Sequence, residues 1–159
     1  MAPVAAPLFV PASRPERFAK AAASGADAVI VDLEDAVPEC LKDEARGNLG
    51  AIAGLATPAF VRINAEGTPW HEADLEALRA HGLERICVPK VEDAGLLDCI
   101  AARFPYAVTL IAQIETASGL EHALPIARHR QVAQLAFGPA DFFLDMGMSA
   151  SVEMTRHAL

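Results

Sequence analysis

No apolar run in the chain reaches the roughly 18 residues that a membrane-crossing helix needs, so none is expected. The N-terminus shows no basic segment leading into an apolar stretch, and a secretory signal is not expected either. Basic residues are in deficit. Thirteen Lys and Arg against 21 Asp and Glu leave a net charge of −8, which argues against nucleic acid or an anionic membrane as partner. An anionic small molecule stays open, because a site can be locally basic inside an acidic protein. Cysteine is scarce too. Cys40, Cys87 and Cys99 have no metal-type spacing and leave an odd thiol; they read as reduced, cytoplasmic residues, with Cys87 buried in a strand. Also missing is a Gly-rich loop after the first strand. The sequence there is PASRPE, so the phosphate cradle of a doubly wound nucleotide binder is absent.

What is present is a well-buried chain. Its 159 residues, 53% of them hydrophobic, suffice for one domain (1–159) with a proper core and no bulk disorder. Six apolar runs rich in β-branched residues recur: Leu8–Pro11, Ala28–Glu34, Ala59–Asn64, Arg85–Lys90, Val108–Glu115 and Val132–Gly138. Between them lie stretches with helical spacing: Pro15–Ser24, Leu41–Leu55, His71–His81, Ala94–Phe104 and Ser118–Arg130. Strand alternating with helix implies parallel strands joined by right-handed crossovers, and near-continuous hydrophobic strands imply burial on both faces. Ser13 is expected to cap the first helix, with Pro15 in its first turn and Glu16 three residues on; Ser24-Gly25 and His81-Gly82 are expected helix ends.

The polar residues gather at the C-terminal ends of these runs. They are Asp32, Glu34 and Asp35, then Arg62 and Asn64, then Lys90, then Gln113 and Glu115. Side chains alternate along a strand, so Asp32 should share a direction with Glu34, Arg62 with Asn64, and Gln113 with Glu115. A ring of charge on one rim over an apolar interior is the pattern of a (β/α)₈ barrel enzyme. A purely structural network of paired rim charges would look alike in sequence. Within the rim, Glu115 ends VTLIAQIE and Asp141 follows VAQLAFGPA. Two carboxylates past successive strands suit a hard cation such as Mg²⁺. The alternative is that each acid favours the start of the helix after it. The five histidines all fall on helical segments, Trp70 reads as a packing residue, and Asp74 and Glu76 read as a polar helix face. A barrel needs eight strands, and only six are found. After Asp141 a short loop and the start of a helix are expected, with the architecture cut short at Leu159.

The stretches LFVPASRPERFAKA, DAVIVDLEDAV with Lys42 and Arg46 following, FVRIN, ICVPKVE, LIAQIETASGL and LAFGPADF carry a resemblance. The chain resembles the citrate lyase β-subunit and its relatives, the HpcH/HpaI aldolase and citrate lyase-like group, over nearly its whole length. The resemblance implies a Mg²⁺-dependent (β/α)₈ TIM barrel, here truncated after about six strands. It also implies an enzyme that makes or breaks a carbon–carbon bond beside an acyl thioester. The implied substrates are citryl-, malyl- or citramalyl-type thioesters on CoA or an acyl carrier protein, with a 2-keto acid as the other fragment. By motif, Glu115 in QIET and Asp141 in GPAD are the implied metal ligands, and Arg62 in VRIN the implied clamp on the keto-acid carboxylate. Asp32, Glu34 and Lys90 are expected to hold the rim electrostatically, with Glu34 touching the metal through water. Arg14 and Lys42 either meet the carrier's phosphates or are solvated surface charges.

Two other functions fit the sequence. One is a 2-keto acid aldolase that works without CoA. The other is a catalytically silent partial barrel that acts in assembly, because an open barrel exposes two sheet edges. Six strands also imply that the chain associates with its own copies, is partly disordered at its C-terminus, or belongs to a longer protein. As an isolated monomer it is expected to turn thioesters over slowly.

Overall fold

The computed structural model of the chain describes residues 4–148. Six strands, β1 (Pro7–Pro11), β2 (Ala28–Asp32), β3 (Ala59–Arg62), β4 (Arg85–Val88), β5 (Thr109–Ile114) and β6 (Val132–Phe137), form one parallel sheet in sequence order. Helices fill the crossovers: α1 (Phe18–Ala22), α2 (Lys42–Gly47), α3 (His71–Ala80), α4 (Ala94–Ala102), α5 (Ala117–Glu121) and α6 (Ala123–Ala127). A seventh helix, α7 (Pro139–Asp145), follows β6. All six expected runs became strands, and each expected helical stretch contains helix. No helix among the described residues is long and apolar enough to cross a membrane.

The register explains why the rim is polar and the floor apolar. Asp32 pairs with Arg62, Arg62 with Cys87, Cys87 with Ile111 and Ile111 with Gln134. These residues therefore share the inner face. On that face Cys87 and Ile111 join Val4, Ala28, Ile30 and Phe60 in an apolar cluster. The other face packs on the helices through Val29, Val31, Ile86 and Leu110 against Phe18, Leu49, Leu78 and Leu97. Each such side chain, once buried, contributes about 1.5–3 kcal/mol.

No pairing joins β1 to β6 among the described residues. The expected open edges are nonetheless bridged at the N-terminal end. The backbone N–H of Val4 donates to Gln134 Oε1 at 2.9 Å, and Gln134 Nε2 donates to the Val4 carbonyl at 2.8 Å. One side-chain amide thus stands in for a strand partner, and Val4 plugs the floor.

Several local expectations need correction. Ser13 caps nothing: the chain enters α1 through a 3₁₀ turn at Pro15–Arg17 with no side-chain cap. The stretch Leu41–Leu55 is not one helix. After α2 it tightens into a 3₁₀ segment, Asn48–Ile52, in a region softened by Gly47 and Gly50. The stretch Ser118–Arg130 breaks at His122, just before Pro125, which cannot donate the i→i−4 bond. Helix α7 starts at Pro139, so Asp141 lies in its first turn rather than before a loop. Residues 149–159, including His157, lie outside the described residues. The end of α3 is as expected. Gly82 adopts φ +66°, while Gly82 and Leu83 donate to the carbonyls of Arg79 and Leu78 at 3.2 and 3.0 Å.

Candidate active site

The C-terminal strand ends converge on Lys90. It is the one non-glycine residue with positive φ (+49°) among those described, a conformation that L-residues adopt at a cost. That turn lets Lys90 face two ways. Its backbone N–H donates to Glu115 Oε2 at 3.1 Å, and its ammonium donates to Glu34 Oε1 at 3.1 Å. The same ammonium lies 3.5 Å from Asp141 Oδ2. Three expected site carboxylates, Glu34, Glu115 and Asp141, are therefore gathered around one lysine.

Glu115 is only 2% exposed, and each of its oxygens has one protein donor: Oε2 from Lys90 and Oε1 from Gln113 Nε2 at 3.0 Å. It does not cap a helix. Thr116 does, through its hydroxyl to the Gly119 N–H at 3.0 Å. Gly138 approaches so closely that a Cβ there would stand 2.2 Å from Glu115 Oε1. Burial pushes the Glu115 carboxyl above its ordinary value, against the Lys90 N–H and charge.

Arg62 lies beneath this group. Its Nε and Nη2 donate to Asp32 Oδ1 and Oδ2 at 2.7 and 2.6 Å, and the Phe9 ring lies 5.1 Å from the guanidinium. Its Nη1 is 3.1 Å from Glu34 Oε2 and its Nη2 is 3.4 Å from Asp35 Oδ2. The side-by-side pair of donors is thus held by Asp32, and the Nη1/Nη2 end faces the rim. Burial opposes the charge, but Asp32, Glu34 and Asp35 outweigh it and hold Arg62 above its ordinary range.

Glu34 is the group poised near neutrality. Burial, with help from Asp35, pushes its carboxyl up to about 7 against the Arg62 and Lys90 cations. Its Oε2 is buried with no hydrogen bond of good geometry, although Arg62 Nη1 is within ion-pair distance. Because the unfolded value is near 4.5, the folded chain binds this proton more tightly. The associated stability is full below about pH 4.5 and is lost as pH rises through about 7, by at most about 1.4 kcal/mol per unit. Urea unfolding of the metal-free chain between those limits should therefore show a slope that Glu34→Gln removes. Parallel curves for the two proteins would contradict it.

Two expected rim residues stand elsewhere. The Lys42 ammonium is buried and donates to the carbonyls of Leu33 and Glu34 and to Asn64 Oδ1, at 2.6–2.7 Å. All three donors are used inside the protein, so Lys42 is neither a solvated charge nor presented to a phosphate. Arg14 is exposed and pairs with Glu16 at 2.6 Å. Asn64 does not share a direction with Arg62, since β3 ends at Arg62 and alternation ends with it. Asn64 turns to the helices, and its N–H and Nδ2 both donate to Asp74 Oδ2.

Asp74, expected on a polar helix face, is instead on the buried face of α3. It is 0% exposed and also accepts from Arg46 Nη1 at 2.8 Å. It was legible: His71, Asp74, Leu75 and Leu78 are the buried positions of α3, spaced as one helical stripe. An acid on that stripe signals a buried network. This network, with Lys42 stacked 5.2 Å from the Trp70 ring centroid, holds the loop that carries Glu34. Beside it opens a cleft of about 520 Å³ lined by Glu34, Asn64, Trp70 and Lys90.

The chain is 42% identical over 144 residues to a citrate lyase subunit beta-like protein of Mycobacterium tuberculosis, covering 91% of this chain and 50% of that protein. It is 36% identical to a (3S)-malyl-CoA thioesterase of Cereibacter sphaeroides, covering 88% and 50%. The chain therefore spans about half the length of these curated relatives. Among solved structures, the M. tuberculosis citrate lyase beta subunit complexed with oxaloacetate and magnesium superposes with a TM-score of 0.83 at 40% identity, over 96% of this chain and 70% of that one. The fold is of TIM-barrel type, present here as an unclosed arc of six parallel strands. The sequence model of one family matches residues 6–157, and the chain belongs to that family, HpcH/HpaI aldolase/citrate lyase.

Proposed function

We propose that this rim is the metal and keto-acid part of the active site of a Mg²⁺-dependent lyase. The lyase would break or form the carbon–carbon bond beside an acyl thioester of citryl, malyl or citramalyl type, carried on CoA or an acyl carrier protein. The observation that carries the reading is the convergence of Glu34, Glu115 and Asp141 on Lys90, directly above Arg62. The donor set fits the cation. Glu115 and Asp141 offer hard oxygens, and Gly138 leaves Glu115 the room it occupies. Mg²⁺ typically binds one or two carboxylates and takes its other oxygens from substrate and water. When bound, Mg²⁺ would polarise the 2-oxo group and offset charge that develops on oxygen.

The chain's own residues would do the rest. The Nη1/Nη2 end of Arg62 would orient the keto-acid carboxylate, competing with Glu34 and Asp35 for that end. Lys90 would keep positive charge beside the developing enolate. Glu34 Oε2, buried and near neutrality, is suited to hold a proton during the cycle. Arg62→Lys keeps the charge but loses the planar fork, so oxaloacetate should bind about 1.5–3 kcal/mol more weakly. Unchanged affinity by calorimetry would place the clamp elsewhere.

Hydrolysis of the thioester is a second reading, favoured by the likeness to a malyl-CoA thioesterase. Single-turnover incubation with (3S)-malyl-CoA and Mg²⁺ separates the two. Carbon–carbon cleavage gives glyoxylate and acetyl-CoA, the expected products. Malate with free CoA thiol would overturn the lyase reading in favour of hydrolysis.

A further inference from the structure

Beneath Glu115 lies a polar pair that the proposed chemistry does not use. Gln113 is 6% exposed and Cys87 is 0% exposed, so neither meets solvent in any useful measure. Gln113 stands two residues before Glu115, on the same inner face of β5. Cys87 is on β4, paired in register with Ile111, and also points inward. The thiol donates to Gln113 Oε1 at 3.2 Å, and Gln113 Nε2 donates to Glu115 Oε1 at 3.0 Å.

The chemistry of the ends fixes the direction of this chain. A carboxylate can only accept, so the amide nitrogen must face Glu115 and the amide oxygen must face Cys87. Cys87 can then only donate. Burial pushes its thiol well above the ordinary range, so the S–H persists at neutral pH. With a small apolar residue in place of Cys87, Glu115 alone would orient the amide, and Gln113 Oε1 would lose its thiol donor.

We propose that Gln113, itself oriented by Cys87, is a positioning residue that sets the Glu115 carboxylate for cation binding. The inference rests on the reading of Glu115 as a metal ligand. With one fixed donor on each oxygen, the carboxylate keeps its remaining lone pairs in a defined direction. The backbone donor alone, Lys90 N–H to Oε2, fixes one oxygen and leaves the group free to swing about it. Groups that orient a metal ligand in this way typically contribute roughly 10–100-fold in metal affinity.

The test is calorimetric titration of the purified chain with Mg²⁺, with circular dichroism and thermal unfolding to confirm the fold. Gln113→Leu should raise the dissociation constant by roughly 10–100-fold. Cys87→Ala should raise it severalfold, and Cys87→Ser, which keeps a donor, should restore it. A residue that merely filled space would shift the unfolding midpoint and leave the Mg²⁺ affinity unchanged. Wild-type affinity in Gln113→Leu, beside lost binding in Glu115→Gln, would overturn the positioning role alone. Retained binding in Glu115→Gln would overturn the metal-ligand reading as well. Should Gln113→Leu not fold, the Cys87 pair decides: equal affinity in the Ala and Ser variants would overturn the inference.

Discussion

Replacing Glu115 or Asp141 by alanine should abolish saturable Mg²⁺ binding, a loss beyond the roughly 100-fold that outer-shell changes reach. Both carboxylates adjoin Lys90, and a hard cation at that place draws its affinity from anionic oxygen. Each replacement removes half of the paired charge. The two differ in side effects. Asp141 lies in the first turn of α7 with its side chain 31% exposed, so its loss should barely touch stability. Glu115 is buried, and its removal strands the Gln113 amide and the Lys90 N–H, at about 1–3 kcal/mol for each unsatisfied group. Glu115→Gln separates the effects, because it keeps the shape and an acceptor for Lys90 while losing the charge. A folded Glu115→Gln protein that binds Mg²⁺ like wild type would remove Glu115 from the site.

Gly138→Ala should be nearly as damaging. The added Cβ would stand 2.2, 2.5 and 2.7 Å from Oε1, Cγ and Cδ of Glu115. Backbone strain is not the reason, since Gly138 has φ −103° and ψ 89°, which alanine tolerates. The conflict is steric. Glu115 cannot yield freely, because Gln113 and Lys90 hold both its oxygens. Either those bonds break or the end of β6 moves, at about 1–3 kcal/mol of stability, and Mg²⁺ affinity should fall at least tenfold. The double variant Glu115→Ala/Gly138→Ala should recover much of the stability lost, since the clash partner is gone. Additive losses in urea unfolding would contradict the close packing described.

The sequence displayed the frame well. The six apolar runs became six parallel strands, and the charges at their ends became one rim, because strand periodicity and burial are local properties of sequence. What escaped were contacts set by the third dimension. Asn64 follows Arg62 by two residues, yet β3 stops at Arg62 and the side chain turns to the helices. Lys42 looks like a surface lysine in LKDEAR, but the loop after β2 folds over it and offers two carbonyls. Gly138 reads as a strand end, and its role depends on Glu115 arriving from the neighbouring strand. Ser13 and Glu16 have capping-box spacing, but Pro15 and the 3₁₀ entry leave no α-helical first turn for them to cap.

The rim is proposed to bind a 2-keto acid through a cation held by Glu115 and Asp141, and this claim can be measured without turnover. Oxaloacetate is titrated into the purified chain with and without Mg²⁺, and the heat of binding is followed. Saturable oxaloacetate binding that requires Mg²⁺ and is lost in Asp141→Ala is the expected result. Binding of equal strength without Mg²⁺, or none with it, would contradict the account.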